Sequence, residues 1–333
     1  MTNTRILGKD LEVSAIGLGC MGFTHAYGKP EDEISAAKVI RNAADIGYTF
    51  FDTAECYIGE REDGSITYNE ELVGKALKEI RNQVIIATKF GVRHEARTLV
   101  MDSRPEVIRE SVEGSLSRLG TDHIDLYYQH RIDPKVPAEE VAGVMADLIR
   151  EGKITHWGIS EADEEYLRRA HAVCPVTCIQ NRYSMMARWH EKLFPVLEEL
   201  QIGYVAFSPL ANGFLSDAFH KGETFGDDDY RKVMSQYSDE GFEANRELLA
   251  LIRRLASEKQ ATPAQISLAW MVNKKPYIVP IPGSRKEERI RENYGAADIV
   301  LSPSEIAAID KSLAEMNMSG VFGGSPVKKG YVQ

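Results

Sequence analysis

Short apolar runs of β type alternate along this chain with stretches whose apolar residues recur at helical spacing. Arg5-Ile6-Leu7 and Leu11-Glu12-Val13 flank the turn residues Gly8-Lys9-Asp10 and predict a short hairpin. Residues 15–19 predict a first strand, and residues 33–46 a helix with Ile34, Ala37, Ile40 and Ala44 along one side. Strand 48–51 precedes helix 69–80, strand 84–88 precedes helix 104–118, and strand 124–129 precedes helix 138–150. The pattern continues with strand 154–159 and helix 163–172, strand 176–180 and helix 191–200, and strand 203–207. A polar excursion over 208–241 leads to helices 242–259 and 263–272, strand 277–280, helix 286–296 and a last helix at 303–313. Eight strands, each trailed by a helix, predict a (β/α)8 barrel, because right-handed βα crossovers repeated eight times close on themselves. No composition shift or linker divides the sequence, so one domain over residues 1–333 is expected, with an N-terminal β-hairpin and a C-terminal helix and glycine-rich tail.

Composition narrows the function classes. The 333 residues are 43% hydrophobic and 27% charged, enough for a large core. The net charge of −10 argues against nucleic acid or an anionic membrane as the main partner, and no apolar run approaches the ~18 residues a membrane span needs. Cys20, Cys56, Cys174 and Cys178 have neither zinc-ligand nor redox spacing and read as reduced, buried thiols. With no signal-peptide core at the N-terminus, a cytoplasmic protein is expected; nothing in the sequence sets its oligomeric state.

The candidate chemistry sits where the apolar runs end. Tyr48-Thr49-Phe50-Phe51 runs into Asp52, and Tyr57 follows five positions later. The run ending at Thr88 meets Lys89, and the run ending at Gln129 meets His130. If these runs are neighbouring parallel strands, an acid, a phenol, an amine and an imidazole converge at one mouth of the barrel, the face where barrel active sites lie. A free phenol is too weak an acid to release its proton readily at neutral pH, and an ammonium beside it is expected to lower its pKa. A buried ammonium needs an anion, which Asp52 supplies, and His130 can hydrogen-bond the substrate oxygen.

Gly17-Leu18-Gly19-Cys20-Met21-Gly22 matches the dinucleotide fingerprint G-x-G-x-x-G, which must end a strand and open a helix. Here loop chemistry follows, Phe23 to Pro30, and the first strand-end acid, Asp52, lies 33 residues past Gly19. A doubly wound dinucleotide domain is therefore disfavoured, as is a metal-dependent hydrolase, since the histidines are scattered. Asp227-Asp228-Asp229 lacks the glycine turn and terminal glutamate of a calcium loop.

Three further segments make the pattern specific. Phe51-Asp52-Thr53-Ala54-Glu55-Cys56-Tyr57, Ala87-Thr88-Lys89-Phe90-Gly91 and Ser117-Arg118-Leu119-Gly120-Thr121-Asp122-His123-Ile124-Asp125-Leu126-Tyr127-Tyr128-Gln129-His130 resemble the signatures of the aldo-keto reductase family, and Asn69 to Leu77 resembles its second helix. That resemblance implies reduction of a small-molecule carbonyl with NADPH, yielding NADP+, through a tetrad of Asp52, Tyr57, Lys89 and His130 with Tyr57 as general acid. It also implies a cofactor path. Gly19, Cys20, Met21 and Asp52 line it; Ser160 and Gln180 hold the carboxamide; Phe207 stacks on the nicotinamide. Ser208, Pro209, Leu210 and Gly213 cover the pyrophosphate. Gly283, Ser284, Arg285 and Arg289 take the 2′-phosphate, with Glu292 and Asn293 at the adenine. Arg285, Lys286, Arg289 and Arg291 put four cations into seven residues of an acidic chain, which favours NADPH over NADH. Glu161 stands where the family usually has Asn, which leaves amide recognition there open. A non-catalytic, cofactor-sensing subunit is the alternative; such family members, potassium-channel accessory proteins, carry Asn in place of His130. Met21, Phe23, Phe90 and His94 are candidates for the pocket wall, and residues 58–68, 224–238 and 321–324 for mobile rims or lids.

Overall fold

The computed structural model describes residues 3–95 and 98–321, without the side chains of residues 94, 95, 98 and 99. The side chain of His94 and the segment Phe322-Gly323-Gly324 thus lie outside the described residues. In chain order the strands are β1 (Thr4–Leu7), β2 (Leu11–Ser14), β3 (Leu18–Gly19), β4 (Phe50–Asp52), β5 (Ile58–Glu60), β6 (Ile66–Tyr68), β7 (Ile85–Phe90), β8 (Val92–Glu95), β9 (Thr98–Met101), β10 (Ile124–Gln129), β11 (Ile154–Ser160), β12 (Cys178–Arg182), β13 (Gly203–Phe207) and β14 (Ile278–Pro280). The helices are α1 (Glu33–Ile46), α2 (Asn69–Leu77), α3 (Pro105–Leu119), α4 (Ala138–Arg150), α5 (Glu164–Val173), α6 (Phe194–Leu200), α7 (Asp239–Ala244), α8 (Arg246–Lys259), α9 (Pro263–Lys274), α10 (Glu287–Tyr294) and α11 (Pro303–Glu315).

Eight strands form one parallel sheet in the order β3-β4-β7-β10-β11-β12-β13-β14. Its two edges meet: Gly17 N donates to Pro280 O at 2.9 Å and Gly19 N to Pro282 O at 3.4 Å. This closure explains why glycine stands at two points of the seam. A Cβ on Gly19 would come 2.8 Å from Ile281 O, and one on Gly283 would come 2.7 Å from Gly19 O. The fold is therefore the expected (β/α)8 barrel.

Period-two alternation divides each strand between two cores. Phe50, Ala87, Leu126, Tyr128, Cys178, Val205 and Val279 fill the barrel interior, while Phe51, Ile86, Tyr127, Ile179 and Tyr204 pack outward on the helices. The β1–β2 hairpin contributes Leu7, Leu11 and Val13 to the interior cluster and so plugs the N-terminal mouth, leaving the opposite mouth for chemistry. Helix starts follow the sequence cues: Ser302 with Glu305 and Thr262 with Gln265 form capping boxes, each followed by proline at the first turn.

The structure shifts several predicted boundaries. Strands β4, β7 and β12 run on to Asp52, Phe90 and Arg182, so Asp52 and Lys89 sit inside strands rather than just past them. The predicted helix 191–200 divides into a 3-10 turn, Trp189–Leu193, and α6, because Pro195 has no N–H to continue the first segment and suits the opening turn of the second. Helix 242–259 divides at Asn245, whose side chain bonds Gly241 O and Ser319 Oγ, anchoring the break. Residues 58–68, read as a loop, are the β5–β6 hairpin, turning at Asp63-Gly64 with Gly64 at φ +80°. A second unpredicted hairpin, β8–β9, follows Lys89 and Phe90. After Gly19 the chain makes a 3-10 turn over Met21–Phe23, and the next helix waits until Glu33, which removes the doubly wound alternative.

Candidate active site

The strand register brings the four predicted groups together. β4 lies beside β7, and β7 beside β10, so Asp52, Lys89 and His130 leave neighbouring strands at the open mouth. Lys89 is fully buried; its Nζ lies 2.5 Å from Asp52 Oδ1, 2.7 Å from Thr53 O and 3.3 Å from Tyr57 Oη. The Tyr57 and His130 rings stand edge to face at 5.8 Å. Gln180, expected at a carboxamide, donates to Asp52 Oδ2 at 2.7 Å.

Burial and charge compete at each group. Burial pulls Lys89 down, but Asp52 and then Tyr57 outweigh it, and the ammonium titrates above the ordinary lysine value. Burial raises the Asp52 carboxyl, against the pull of Lys89 and Gln180. The two shifts act oppositely on the pair; the geometry favours its charged form, since Asp52 accepts from both Nζ and the Gln180 amide. Tyr57 departs from the sequence expectation: burial pushes its phenol up to about 12, and Lys89 only moderates the rise. His130 is held well below the usual imidazole range by burial, then by Lys89 and Arg131, so it is neutral at physiological pH. Its Nδ1 lies 3.4 Å from Cys56 Sγ, a thiol that burial pushes up to about 12 and keeps protonated.

Other buried groups brace the site. Asn69 accepts from Thr53 Oγ1 at 2.6 Å and donates to Cys20 O at 2.9 Å, tying β4 to the turn after β3. Glu70, buried, accepts from Thr88 Oγ1 at 2.5 Å and Arg118 Nε at 2.6 Å, locking α2 and α3 to β7 next to Lys89. Phe90 is buried against Tyr127, and Phe23 is equally buried, which places both in the packed core and leaves Met21 partly exposed.

The residues expected along a cofactor path fall into two groups. At the mouth, Ser160 Oγ accepts from Arg131 Nη1 at 3.1 Å, and Phe207 is partly exposed. From Ser208 to Gly213, Ser208, Ala211, Asn212 and Gly213 all take left-handed conformations. The excursion beyond them crosses back to the first loop: Tyr230 N donates to Ala26 O at 2.9 Å, and Gly28 N to Asp228 O at 3.1 Å. Asn212 Nδ2 donates to Tyr27 Oη at 2.8 Å, and Arg231, paired with Asp229, packs on Tyr27, Phe219 and Phe225. Residues 208–241 thus form a strap rather than an open loop.

Farther out, Arg285 Nε donates to Gly22 O at 2.5 Å and Nη1 reaches Glu31 at 3.1 Å, while its Nη2 is buried with no partner. Ser284 turns back on Lys286 N, and Arg289 pairs with Glu292 at 2.6 Å. Asn293 is buried on the inner side of α10. A cleft of about 800 Å³ is lined by Thr262, Gln265, Glu287, Arg289, Arg291 and Glu292; the tetrad does not line it. Glu161, at φ +57°, accepts from Arg182 N at 3.0 Å and faces His190, so its carboxylate serves the backbone at the end of β12.

The aldo/keto reductase family model matches residues 15–314. The chain belongs to the aldo/keto reductase family. It is 39% identical over 314 residues to probable aldo-keto reductase 1 of Glycine max, covering 93% of this chain and 88% of the relative. Among solved structures it resembles the glycerol dehydrogenase of Gluconobacter oxydans, with TM-score 0.83, 28% identity and coverage of 95% and 97% of the two chains. It also resembles an aldo/keto reductase from Klebsiella pneumoniae solved with NADP and acetate, with TM-score 0.69, 26% identity and coverage of 93% and 95%. As a member of this family the chain is an oxidoreductase, and the family uses NADPH.

Sequence reasoning missed Arg131, Arg182, Cys56, Asn69 and Glu70. The first two carried a signal: each is a charged residue at the end of an apolar strand, the same cue that marked Lys89. Cys56 is read from the sequence only as a buried thiol, Asn69 and Glu70 sit in a segment quoted for its resemblance alone, and the roles of all three depend on contacts across the sheet.

Proposed function

We propose that this chain is a single-domain, NADPH-dependent reductase of small-molecule aldehydes or ketones, with Tyr57 as the proton donor. One observation carries the reading: Lys89 Nζ, wholly buried, touches both Asp52 and Tyr57 at 2.5 and 3.3 Å, beside a neutral His130. The four buried free thiols support a cytoplasmic setting. Among the described residues no helix is long and apolar enough to cross a membrane.

The residues fit NADPH. Arg285 Nη2 is buried and lacks a partner, beside the expected 2′-phosphate. Arg285 and Arg289 would hold the phosphate, residues 208–213 the pyrophosphate, and Phe207 and Ser160 the nicotinamide. When bound, the cofactor supplies the hydride to the carbonyl carbon.

The chain's own residues then manage the proton. His130, neutral and with Nδ1 at the Cys56 thiol, presents Nε2 to the carbonyl oxygen and orients it. Tyr57, whose pKa lies near 12, holds its proton at neutral pH and gives it to the oxygen as that oxygen gains charge. An alkoxide is a stronger base than a phenolate, so the transfer runs downhill. The remaining phenolate sits 3.3 Å from the Lys89 ammonium, which stabilises it until solvent returns the proton.

Tyr57→Phe tests the role. The variant should lose about 10²–10⁴ in kcat, the usual weight of a positioned acid, with NADPH affinity measured by fluorescence nearly intact. Wild-type-like turnover would refute the role. Tight NADPH binding by the wild type with no reduction of any aldehyde at 340 nm would favour the cofactor-sensing alternative.

A further inference from the structure

Two arginines at the open mouth, Arg131 and Arg182, have no ion-paired carboxylate among the described residues, although the charge of Glu161 acts on Arg182. Period-two alternation along β12 points Cys178, Gln180 and Arg182 inward, so Arg182 lies one layer above the Gln180–Asp52 hydrogen bond. Its register partner on β13 is Phe207, and its guanidinium stands 5.0 Å from the centre of that ring. Arg131 follows His130 directly, donates to His130 O at 2.6 Å and Ser160 Oγ at 3.1 Å, and lies 6.0 Å from the same ring. Phe207 therefore carries two guanidinium groups. Among the described residues neither arginine forms an ion pair with a carboxylate. Glu161, the nearest acid along the strand ends, spends one oxygen on Arg182 N and turns the other to His190, 3.9 Å away. Arg182 Nη1 is buried with no hydrogen-bond partner.

A buried guanidinium with an unused N–H is costly unless something accepts from it. Neither a structural ion pair nor a backbone carbonyl fills that place here. We propose that Arg131 and Arg182 form a site for an oxyanion carried by the carbonyl substrate, so that the preferred substrates are short aldehydes or ketones bearing a carboxylate or phosphate. The placement favours substrate over cofactor. The cofactor's charged groups have partners elsewhere, at Arg285 and Arg289 and under residues 208–213. Arg131, in contrast, adjoins His130, so an anion held there lies within a few bonds of a carbonyl on Tyr57 and His130. Planar guanidinium pairs match carboxylate and phosphate oxygens, and partial burial strengthens such bonds. The inference rests on the reductase reading and adds the substrate class to it.

The test compares matched aldehydes with NADPH: succinic semialdehyde against butanal, 4-carboxybenzaldehyde against benzaldehyde, and glyceraldehyde 3-phosphate against glyceraldehyde. The charged member should be preferred about tenfold or more in kcat/KM, and the third pair tells whether phosphate serves as well as carboxylate. In Arg182→Met the preference should fall about 10- to 100-fold, the weight of a charge-assisted hydrogen bond, and Arg182→Lys should restore part of it. Equal kcat/KM for both members of every pair in the wild type would overturn the inference. So would an Arg182→Met enzyme that keeps the preference but loses NADPH affinity, which would assign the arginines to the cofactor. Calorimetric titration with benzoate separates this failure from failure of the reductase reading. Benzoate should bind the wild type and not Arg182→Met whether or not any aldehyde turns over, and no binding to the wild type would overturn the site. If Arg182→Met fails to fold by circular dichroism, Arg182→Lys and Arg131→Lys carry the same ratio and titration.

Discussion

Removing one partner of the Lys89–Asp52 pair is the sharpest perturbation of this site. In Asp52→Asn the ammonium keeps the Thr53 carbonyl and loses the one carboxylate it pairs with among the described residues, at a position with no exposed surface. Breaking a buried pair from one side costs about 3–5 kcal/mol. Spread over the unfolding entropy of a chain this long, that lowers Tm by about 4–7 °C. Lys89→Met should cost a similar amount, because it strands Asp52 beside the Gln180 amide alone. The double variant, Asp52→Asn with Lys89→Met, leaves no unpaired charge and should recover most of the stability while remaining inactive. Scanning calorimetry on the four proteins gives the coupling, and NADPH oxidation gives the activity. The pH dependence has a definite sign. Lys89 is raised above the ordinary lysine value in the fold, so its contribution is whole below the unfolded pKa and is lost as pH rises through the higher folded value. Wild type should therefore lose this increment only above about pH 10. Additive melting effects in the cycle, or an active double variant, would refute the account of a buried pair that serves the phenol.

Other outcomes follow from the same contacts. Because His130 is depressed in the fold, its contribution is present above the unfolded pKa and is lost as pH falls toward the depressed folded value; stability should decline below about pH 6.5, and His130→Asn should flatten that decline in melts run across pH. Arg285→Ala should reduce the preference for NADPH over NADH by about tenfold or more, read as Kd by cofactor fluorescence, since it removes a guanidinium with a buried, unpartnered Nη2. Gly74→Ala should lower Tm by about 2–4 °C, since a Cβ there would lie 2.2 Å from Leu119 O and force α2 away from α3.

The barrel was legible in the sequence because each βα unit carries its own local signature. The apolar runs have strand length, the amphipathic stretches have helix spacing, and prolines and caps punctuate them. That Asp52, Tyr57, Lys89 and His130 would meet was legible for a related reason: a charged residue ending an apolar run is conspicuous, and three such runs in succession allow one geometry once the strands are parallel neighbours. The hairpins β5–β6 and β8–β9 were not read as strands. They are short ribbons outside the main sheet, and the acidic turn at Asp63-Gly64 resembles a solvated loop unless the flanking strands are known to pair.

Residue types and their order along the chain thus decided the architecture and which groups would meet. Closure, charge balance and proton affinity needed the folded molecule. Gly19 and Gly283 lie 264 positions apart and touch only when the sheet shuts. Tyr57 titrates near 12 because burial outweighs the ammonium beside it, and burial is a property of everything packed around a side chain. Arg131 and Arg182 became a pair only when register set one beside Ser160 and the other beside Phe207. Local pattern follows from neighbours in sequence; the electric environment of a site sums over neighbours in space, which no stretch of sequence contains.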